Sequence, residues 1–149
     1  SMTKLVGEIS NVFNDFEPTE VLLPHPGDVH TDHRVTFEAA SACTKWFRHP
    51  SVKRVMTYET LSETEFGLNP VEKLFRPNLF VNISEHMDLK LKLLSIYKSE
   101  LGDHPFPRCL DSIRALALLR GAQMGVQVAE AFQVLRQFEC SMDDSADFD

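Results

Sequence analysis

One segment of the sequence, residues 21–40, constrains the fold more than any other. It opens with three consecutive apolar residues, Val21, Leu22 and Leu23, a short run that favours a buried strand. Proline and glycine at positions 24, 26 and 27 then interrupt regular structure, and a helical pattern follows from about Val35. The order of strand, polar loop and helix is typical of open α/β sheets, in which ligands bind beyond the carboxyl ends of the strands.

The loop inside this segment is rich in imidazole and carboxylate groups. Four such side chains occur within six positions, namely Asp28, His30, Asp32 and His33. Zinc accepts both kinds of ligand, and the two histidines, three positions apart, would face the same way on a helical turn. The two aspartates could orient the imidazoles through hydrogen bonds. An alternative is equally open at this point: the loop only caps the next helix, with Asp32 as the N-cap residue.

The order of these residues resembles a known signature. Residues 28–34, D-V-H-T-D-H-R, closely resemble the second signature of the PIG-L/LmbE-like zinc deacetylase family, usually written D-x-H-P-D-H-R. Thr31 stands where proline is common. Weaker matches follow in the family's order: Y-E-T at 58–60, P-N-L-F-V-N-I at 77–83, Y-K-S at 97–99, R-G at 120–121 and A-E-A-F at 129–132. The resemblance covers residues 21–136, and its specific part is the His-Asp-His cluster.

One part of the family pattern is not found in this sequence. Members carry an earlier signature, H-P-D-D-E, which supplies a zinc-binding histidine, a zinc-binding aspartate and the aspartate that serves as general base. The sequence H-P-G-D at 25–28 lies inside the second signature and lacks the paired carboxylates. We therefore expect an α/β fold, a Rossmann-like three-layer PIG-L/LmbE-type domain over residues 1–140 that lacks its amino-terminal half. Residues 141–149 are expected to form an acidic, disordered tail.

The resemblance also implies a chemistry, residue by residue. It implies zinc-dependent removal of the acetyl group from an N-acetylated sugar, such as an N-acetylglucosamine conjugate. His33 would be the zinc ligand that this chain supplies, His30 would stabilise the oxyanion, and Asp32 would orient His30. The expected substrate contacts are Asp28, Arg34, Tyr58 and Glu59. Because the base and two metal ligands belong to the earlier signature, we expect the chain to be inactive by itself.

Two other interpretations remain open. The chain could be a non-catalytic binding or assembly module derived from the deacetylase fold, since catalytic zinc usually has three protein ligands and this sequence offers one. A different metallohydrolase would instead use His25, His30 and His33 as its ligands. An H-P-D-D-E segment encoded upstream of residue 3 would favour the deacetylase.

The charge and composition of the sequence limit its expected binding partners and its expected cellular compartment. The formal net charge of -7 does not favour non-specific nucleic-acid binding, which needs a basic surface. No apolar run approaches the roughly 20 residues of a membrane span, and no signal-peptide pattern is present. The three cysteines form no C-x-x-C pair. We expect a cytoplasmic protein.

Periodicity predicts the remaining elements. Helices are expected over residues 3–16, 84–101 and 110–124, with Ser84 as the N-cap of the second of these. Another helix is expected to follow the polar loop and to extend to about residue 47. Strands are expected over residues 52–60 and 80–83. Residues 126–138 are compatible with a strand or a short helix, and residues 61–75 with a long loop. Because the first helix arrives without a preceding strand, we expect an apolar sheet edge that self-associates or pairs with a missing amino-terminal segment.

Overall fold

The structure, a computed structural model, describes residues 1–68 and 73–139. The helices are α1 (Met2–Phe16), α2 (Thr31–Cys43), α3 (Met87–Leu94) and α4 (Leu110–Met124), with a short 3₁₀ helix at Lys98–Glu100; the strands are β1 (Glu20–Pro24), β2 (Arg54–Tyr58), β3 (Leu79–Asn82) and β4 (Ala129–Gln137). None of the helices within these ranges has the length and apolar character needed to cross a membrane. The expected acidic tail lies outside the described residues.

The four strands form one mixed sheet in the order β1-β2-β4-β3. Strands β1 and β2 are parallel, whereas β4 runs antiparallel to both of its neighbours. The predicted α/β class is confirmed. Parallel pairing brings the carboxyl ends of β1 and β2 to the same edge, where Pro24 is in register with Tyr58. The loop that follows β1 therefore starts beside Tyr58.

Successive residues of β1 enter different surroundings. Val21 and Leu23 belong to a core with Phe13 of α1 and Cys43 of α2, whereas Leu22 lines a cavity beside α4. Since neighbouring residues of a strand point to opposite faces of a sheet, α1 and α2 cover one face of β1 and α4 lies over the other. A second core lies on the α4 side and comprises Ile83, Met87, Ile113, Ala117 and Val128.

Helix α1 confirms the predicted helix but buries less than its pattern implies. Ser1 caps it by accepting a hydrogen bond from the Lys4 backbone, and Glu17 ends it in a left-handed conformation. The pattern predicts Leu5, Ile9, Val12, Phe13 and Phe16 as core residues. Phe13 is buried, but Val12 and Phe16 are largely exposed, so the prediction is wrong for these two. The helix packs on α2 along a narrow stripe.

Helix α2 ends earlier than predicted. The hydroxyl of Thr44 donates to the carbonyl of Ser41 at 2.9 Å and terminates the helix after Cys43. The expected extension to residue 47 would place Val35 and Trp46 on a buried face. Both are exposed, Trp46 by 62%, and the buried face consists of Ala39, Ala40 and Cys43.

Helix α3 is also shorter than predicted, because its start is taken over by local hydrogen bonds. Ser84, the expected N-cap, instead donates its hydroxyl to Asn82 Oδ1 at 2.6 Å, and His86 occupies the N-cap position. The chain leaves the helix after Leu94 and re-forms as the 3₁₀ helix. Tyr97, expected on the apolar stripe, is largely exposed.

Helix α4 was predictable from the sequence, whereas strand β4 was not. Helix α4 has the predicted bounds and ends at Gly125, whose φ of 80° is a left-handed conformation that favours glycine. A Cβ at Gly121 would lie 2.7 Å from the carbonyl oxygens of Val126 and Gln127, so the chain turns tightly against the helix there. Residues 129–137, left open between helix and strand, form a strand because β2 and β3 pair with it on both sides.

Candidate active site

Backbone hydrogen bonds hold the polar loop, which lies between β1 and α2. The Asp28 N–H donates to the carbonyl of His25 at 3.1 Å, and the Val29 N–H donates to the carbonyl of Glu63 at 3.1 Å. The second bond crosses to the segment that follows β2. Loop and neighbouring segment therefore form one unit at the carboxyl edge of the two parallel strands.

Asp28 and His33 form a tight, shielded pair. Asp28 Oδ2 lies 2.7 Å from His33 Nδ1, and Asp28 Oδ1 accepts a hydrogen bond from the Thr64 hydroxyl at 2.7 Å. Asp28 is only 2% exposed, while the His33 side chain is 27% exposed. Because the carboxylate accepts from Nδ1–H, His33 Nε2 carries a lone pair. This is the arrangement in which proteins present a histidine to a metal ion.

His30 has the opposite tautomer. It is the N-cap of α2, and its Nδ1 accepts the backbone N–H of Asp32 at 3.1 Å. In the neutral ring, Nε2 therefore carries the proton and is a hydrogen-bond donor. Its ring centre lies 5.4 Å from that of His33. The loop thus places one acceptor nitrogen and one donor nitrogen side by side.

Asp32 takes a different place from the expected one. In the capping interpretation Asp32 is the N-cap residue, but the structure gives that position to His30. The Asp32 carboxylate lies 3.9 Å from His30 Nδ1 and its side chain is 84% exposed. The contact that orients the His30 ring is the backbone N–H of Asp32, not its carboxylate.

Tyr58 stands beside this loop at the end of β2. It is half-buried, and burial raises the pKa of its phenol; the nearby charge of Asp28 raises the pKa further. The phenol therefore keeps its proton and can donate a hydrogen bond. Thr64, which holds Asp28, is a site residue that sequence reasoning missed, since it lies in a loop with no periodic pattern.

Glu59, the next residue, is engaged elsewhere. Arg120 of α4 donates to both of its carboxylate oxygens, at 2.8 Å from Nε and 2.6 Å from Nη2. The two side chains are only 15% and 14% exposed. Arg120 also donates to Gln123 at 2.8 Å. This pair ties the end of β2 to α4 and occupies both oxygens of an expected substrate contact.

Two further expected site residues lie away from the histidine pair. Arg34 is exposed and lines a second, smaller cavity. His25 is buried on the wall of the same cavity; its Nε2 lies 2.9 Å from the carbonyl oxygen of Lys73, and its ring meets Phe75 edge-on. The interpretation with His25, His30 and His33 as a ligand set is not supported. Among residues 1–68 and 73–139, no group of three histidine, cysteine or acidic side chains is arranged to hold a metal ion.

Comparison with known proteins bears on the fold. No family model matches the chain, and no curated protein sequence matches it. Among solved structures, it is similar to N,N'-diacetylchitobiose deacetylase from Pyrococcus horikoshii, with a TM-score of 0.68, 20% identity and coverage of 91% of this chain and 52% of that one. It is also similar to teicoplanin deacetylase Orf2 in a zinc-inhibited form, with a TM-score of 0.63, 22% identity and coverage of 93% and 55%.

A third solved structure has a different activity. The 4-carboxy-2-hydroxymuconate hydratase GalB from Pseudomonas putida matches with a TM-score of 0.68, 17% identity and coverage of 93% of this chain and 61% of that one. The chain thus spans about half to three fifths of the length of these proteins. At such identities the likeness shows a shared fold, and the chemistry has to be argued from the site.

Proposed function

We propose that the chain is part of a zinc-dependent hydrolase that removes the acetyl group from an N-acetylated sugar, such as an N-acetylglucosamine conjugate. The observation that carries the proposal is the buried Asp28, which fixes His33 with a free Nε2 beside the donor Nε2–H of His30. Two structures with this fold are named as deacetylases, one of them in a zinc-inhibited form.

One histidine of the loop is suited to bind zinc. His33 fits as one ligand, since its Nε2 carries a lone pair and Asp28 supports the ring from behind. The described residues hold no group of three histidine, cysteine or acidic side chains arranged for a metal ion, and we propose that an H-P-D-D-E segment supplies the remaining ligands. When bound, zinc would polarise the amide carbonyl and activate a water molecule.

The other residues of the loop act on the substrate. His30 Nε2–H would donate to the oxygen that becomes negative in the tetrahedral intermediate. The Asp32 backbone holds that ring, and the Asp32 carboxylate, although exposed, adds a negative charge close to it. The Tyr58 phenol and Arg34 are proposed substrate contacts. Asp28, shielded and with both oxygens hydrogen-bonded, would act through His33.

The proposal extends to the architecture of the active protein. We propose that it has the three-layer, Rossmann-like arrangement of the family that the sequence resembles. Among the described residues no strand pairs with the outer edge of β1, and this edge would accept either a strand of the proposed H-P-D-D-E segment or a second copy. Sedimentation at several concentrations tests the second possibility, which a monomer across the whole range would contradict.

The experiment measures amine release from N-acetylglucosamine and its conjugates. Residues 1–149 alone are expected to show no appreciable turnover, and an added amino-terminal segment that carries H-P-D-D-E should restore zinc-dependent activity. In the restored protein, His33→Ala should lose zinc. His30→Ala should keep zinc and lower kcat by about two to three orders of magnitude, as loss of an oxyanion donor does.

Two outcomes would contradict this assignment. Unchanged zinc stoichiometry in the His33→Ala protein would remove His33 from the ligand set. Robust zinc-dependent turnover by residues 1–149 alone, abolished by His30→Ala, would show that the missing ligands and base are within this chain.

A non-catalytic binding or assembly module is the second candidate. The observation in its favour is that the described residues bring together no complete metal site. GalB shows, in addition, that this fold supports a reaction other than deacetylation. If the added segment restores neither zinc binding nor amine release, the module is the better description.

A further inference from the structure

A cavity of about 410 Å³ lies between the sheet and helices α3 and α4. Its volume is within the range of pockets that hold small molecules, about 300–1,000 Å³. The wall is predominantly apolar, and its apolar side chains include Leu22, Leu61, Leu94, Leu116 and Phe132. Helix α4 forms one side of the cavity and β4 forms its floor.

The charged groups on the wall neutralise one another. Lys90 pairs with Glu130, Arg108 Nη1 lies 3.1 Å from Glu100 Oε2, and Arg120 binds Glu59. A charged ligand would have to break one of these pairs. An apolar group therefore suits the cavity better than an anion.

The cavity reaches the end of β2, beside the start of the histidine loop. Tyr58 lines it and is in register with Pro24, the last residue before the loop. Thr60 also lines it, and the Thr60 N–H donates to the Thr64 hydroxyl at 2.8 Å, which in turn donates to Asp28. A sugar placed at His30 and His33 would thus have its substituent near the cavity mouth.

We propose that this cavity binds an apolar alkyl or aryl aglycone of the N-acetylated sugar. The inference rests on the proposed function for the identity of the sugar, but the apolar site itself rests on the cavity. The alkyl or aryl group would cover Leu22, Leu94 and Leu116.

The test is the affinity of residues 1–149 for methyl, butyl and hexyl β-glycosides of N-acetylglucosamine, measured by calorimetry without zinc. Each methylene group that becomes buried favours binding. We therefore expect the Kd at about 25 °C to be at least tenfold lower for the hexyl glycoside than for the methyl glycoside. Hexyl β-glucoside, which has no acetamido group, should show the same dependence on chain length relative to methyl β-glucoside.

Matched variants locate the site. Leu116→Asp, on the cavity wall, should abolish the gain from the hexyl chain, whereas Leu119→Asp, exposed on the same helix and not on the wall, should keep it. Thermal unfolding checks that both variants fold. If Leu116→Asp does not fold, Leu22→Asn takes its place, since Leu22 is partly exposed and tolerates a polar side chain.

The outcomes separate this inference from the proposed function. The aglycone site is overturned if the affinity does not depend on alkyl length. It is also overturned if the Leu116→Asp or Leu22→Asn protein shows the same dependence on alkyl length as the parent. Either result holds even if the restored protein deacetylates N-acetylglucosamine. Length-dependent binding that the wall variant abolishes, together with no amine release from the restored protein, keeps the apolar site and overturns the deacetylase.

Discussion

Two acid–base pairs lie at neighbouring strand ends, and they differ in what they leave unused. Asp28 and His33 meet through one ring nitrogen, so His33 Nε2 stays available for a ligand. Glu59 and Arg120 meet through two hydrogen bonds, so both carboxylate oxygens are occupied. In each pair the carboxylate is shielded from solvent. Burial and charge therefore do not by themselves mark a functional group; the remaining unpaired donor or acceptor does.

The two pairs also differ in the parts of the structure that they join. The loop of residues 25–33 is joined to its surroundings by hydrogen bonds to the 60–64 segment, whereas the Glu59–Arg120 pair joins a strand end to a helix that covers the sheet. We expect substitutions in the Glu59–Arg120 pair to reduce the free energy of unfolding without changing the histidines, and substitutions in the loop to change the state of the histidines as well as the stability.

The largest effect is expected for Arg120→Met. This change leaves the Glu59 carboxylate shielded and unpaired, which should lower the free energy of unfolding by about 3 kcal/mol. The double variant Glu59→Gln/Arg120→Met removes the unpaired carboxylate charge and should recover at least about 1 kcal/mol of that loss. Urea denaturation measures both values.

A solvent-exposed ion pair provides the control for this prediction. Arg54 lies 2.9 Å from Glu20, and the two side chains are 33% and 49% exposed, so Arg54→Met should cost less than about 1 kcal/mol. An Arg120→Met protein that loses no more stability than Arg54→Met would show that the Glu59–Arg120 pair does not hold β2 to α4.

The second effect concerns Asp28→Asn. The amide cannot accept from both His33 and Thr64 as the carboxylate does, so the free energy of unfolding should fall by about 2 kcal/mol. The amide can donate to His33 Nδ1, which would move the ring proton to Nε2 and remove the lone pair proposed for zinc. The ¹⁵N chemical shifts of the imidazole report the tautomer directly.

Thr64→Val is the matched control for the Asp28 substitution. It removes one hydrogen bond to the same carboxylate and should cost about 1 kcal/mol, but it leaves the His33 partner in place. The ring ¹⁵N shifts should then stay as in the parent protein. Identical His33 shifts in the parent and Asp28→Asn proteins would contradict the role given to Asp28.

The third effect tests His30 as a helix cap apart from its chemistry. His30→Ala removes the acceptor for the Asp32 N–H and should lower the free energy of unfolding by about 1 kcal/mol. His30→Asn should restore most of this stability, because asparagine is a preferred N-cap residue. If the asparagine variant is no more stable than the alanine variant, the cap contributes little.

The smallest effect is expected for Tyr58→Phe at alkaline pH. Because the folded-state pKa of Tyr58 is raised above the ordinary value of 10, the unfolded chain loses this proton first as the pH rises. The stability that the neutral phenol contributes is complete below pH 10 and is lost as the pH rises through the folded-state pKa. The Tyr58→Phe protein should therefore lose less stability above pH 10 than the parent does.

The matched control is Tyr97→Phe, which removes a largely exposed phenol from the other tyrosine of the chain. Each variant lacks one phenol, so the difference between their stabilities at alkaline pH reports the effect of burying Tyr58. Equal alkaline destabilisation of the parent and the Tyr58→Phe protein would show that burial of Tyr58 has no energetic consequence.

Local features were predictable from the sequence because they depend on neighbouring residues. Helix α4 has the predicted bounds, since its periodicity and Gly125 act within a few residues of one another. The turn residues Pro26 and Gly27 likewise placed the polar loop after β1, whereas Pro24, expected to interrupt regular structure, is the last residue of the strand. The chemical types needed for the candidate site, two histidines and an aspartate within six positions, are also visible in the sequence alone.

Tertiary structure decided what joins residues far apart in the chain. Residues 129–137 form a strand because β2 and β3 offer backbone partners on both sides, which no local period records. Thr64 meets Asp28 across 36 positions, and Arg120 meets Glu59 across 61. Which nitrogen of each histidine is free depends on the partner of the other nitrogen. The sequence by itself determined which groups are present, and only packing determined which of them keep an unused lone pair or proton.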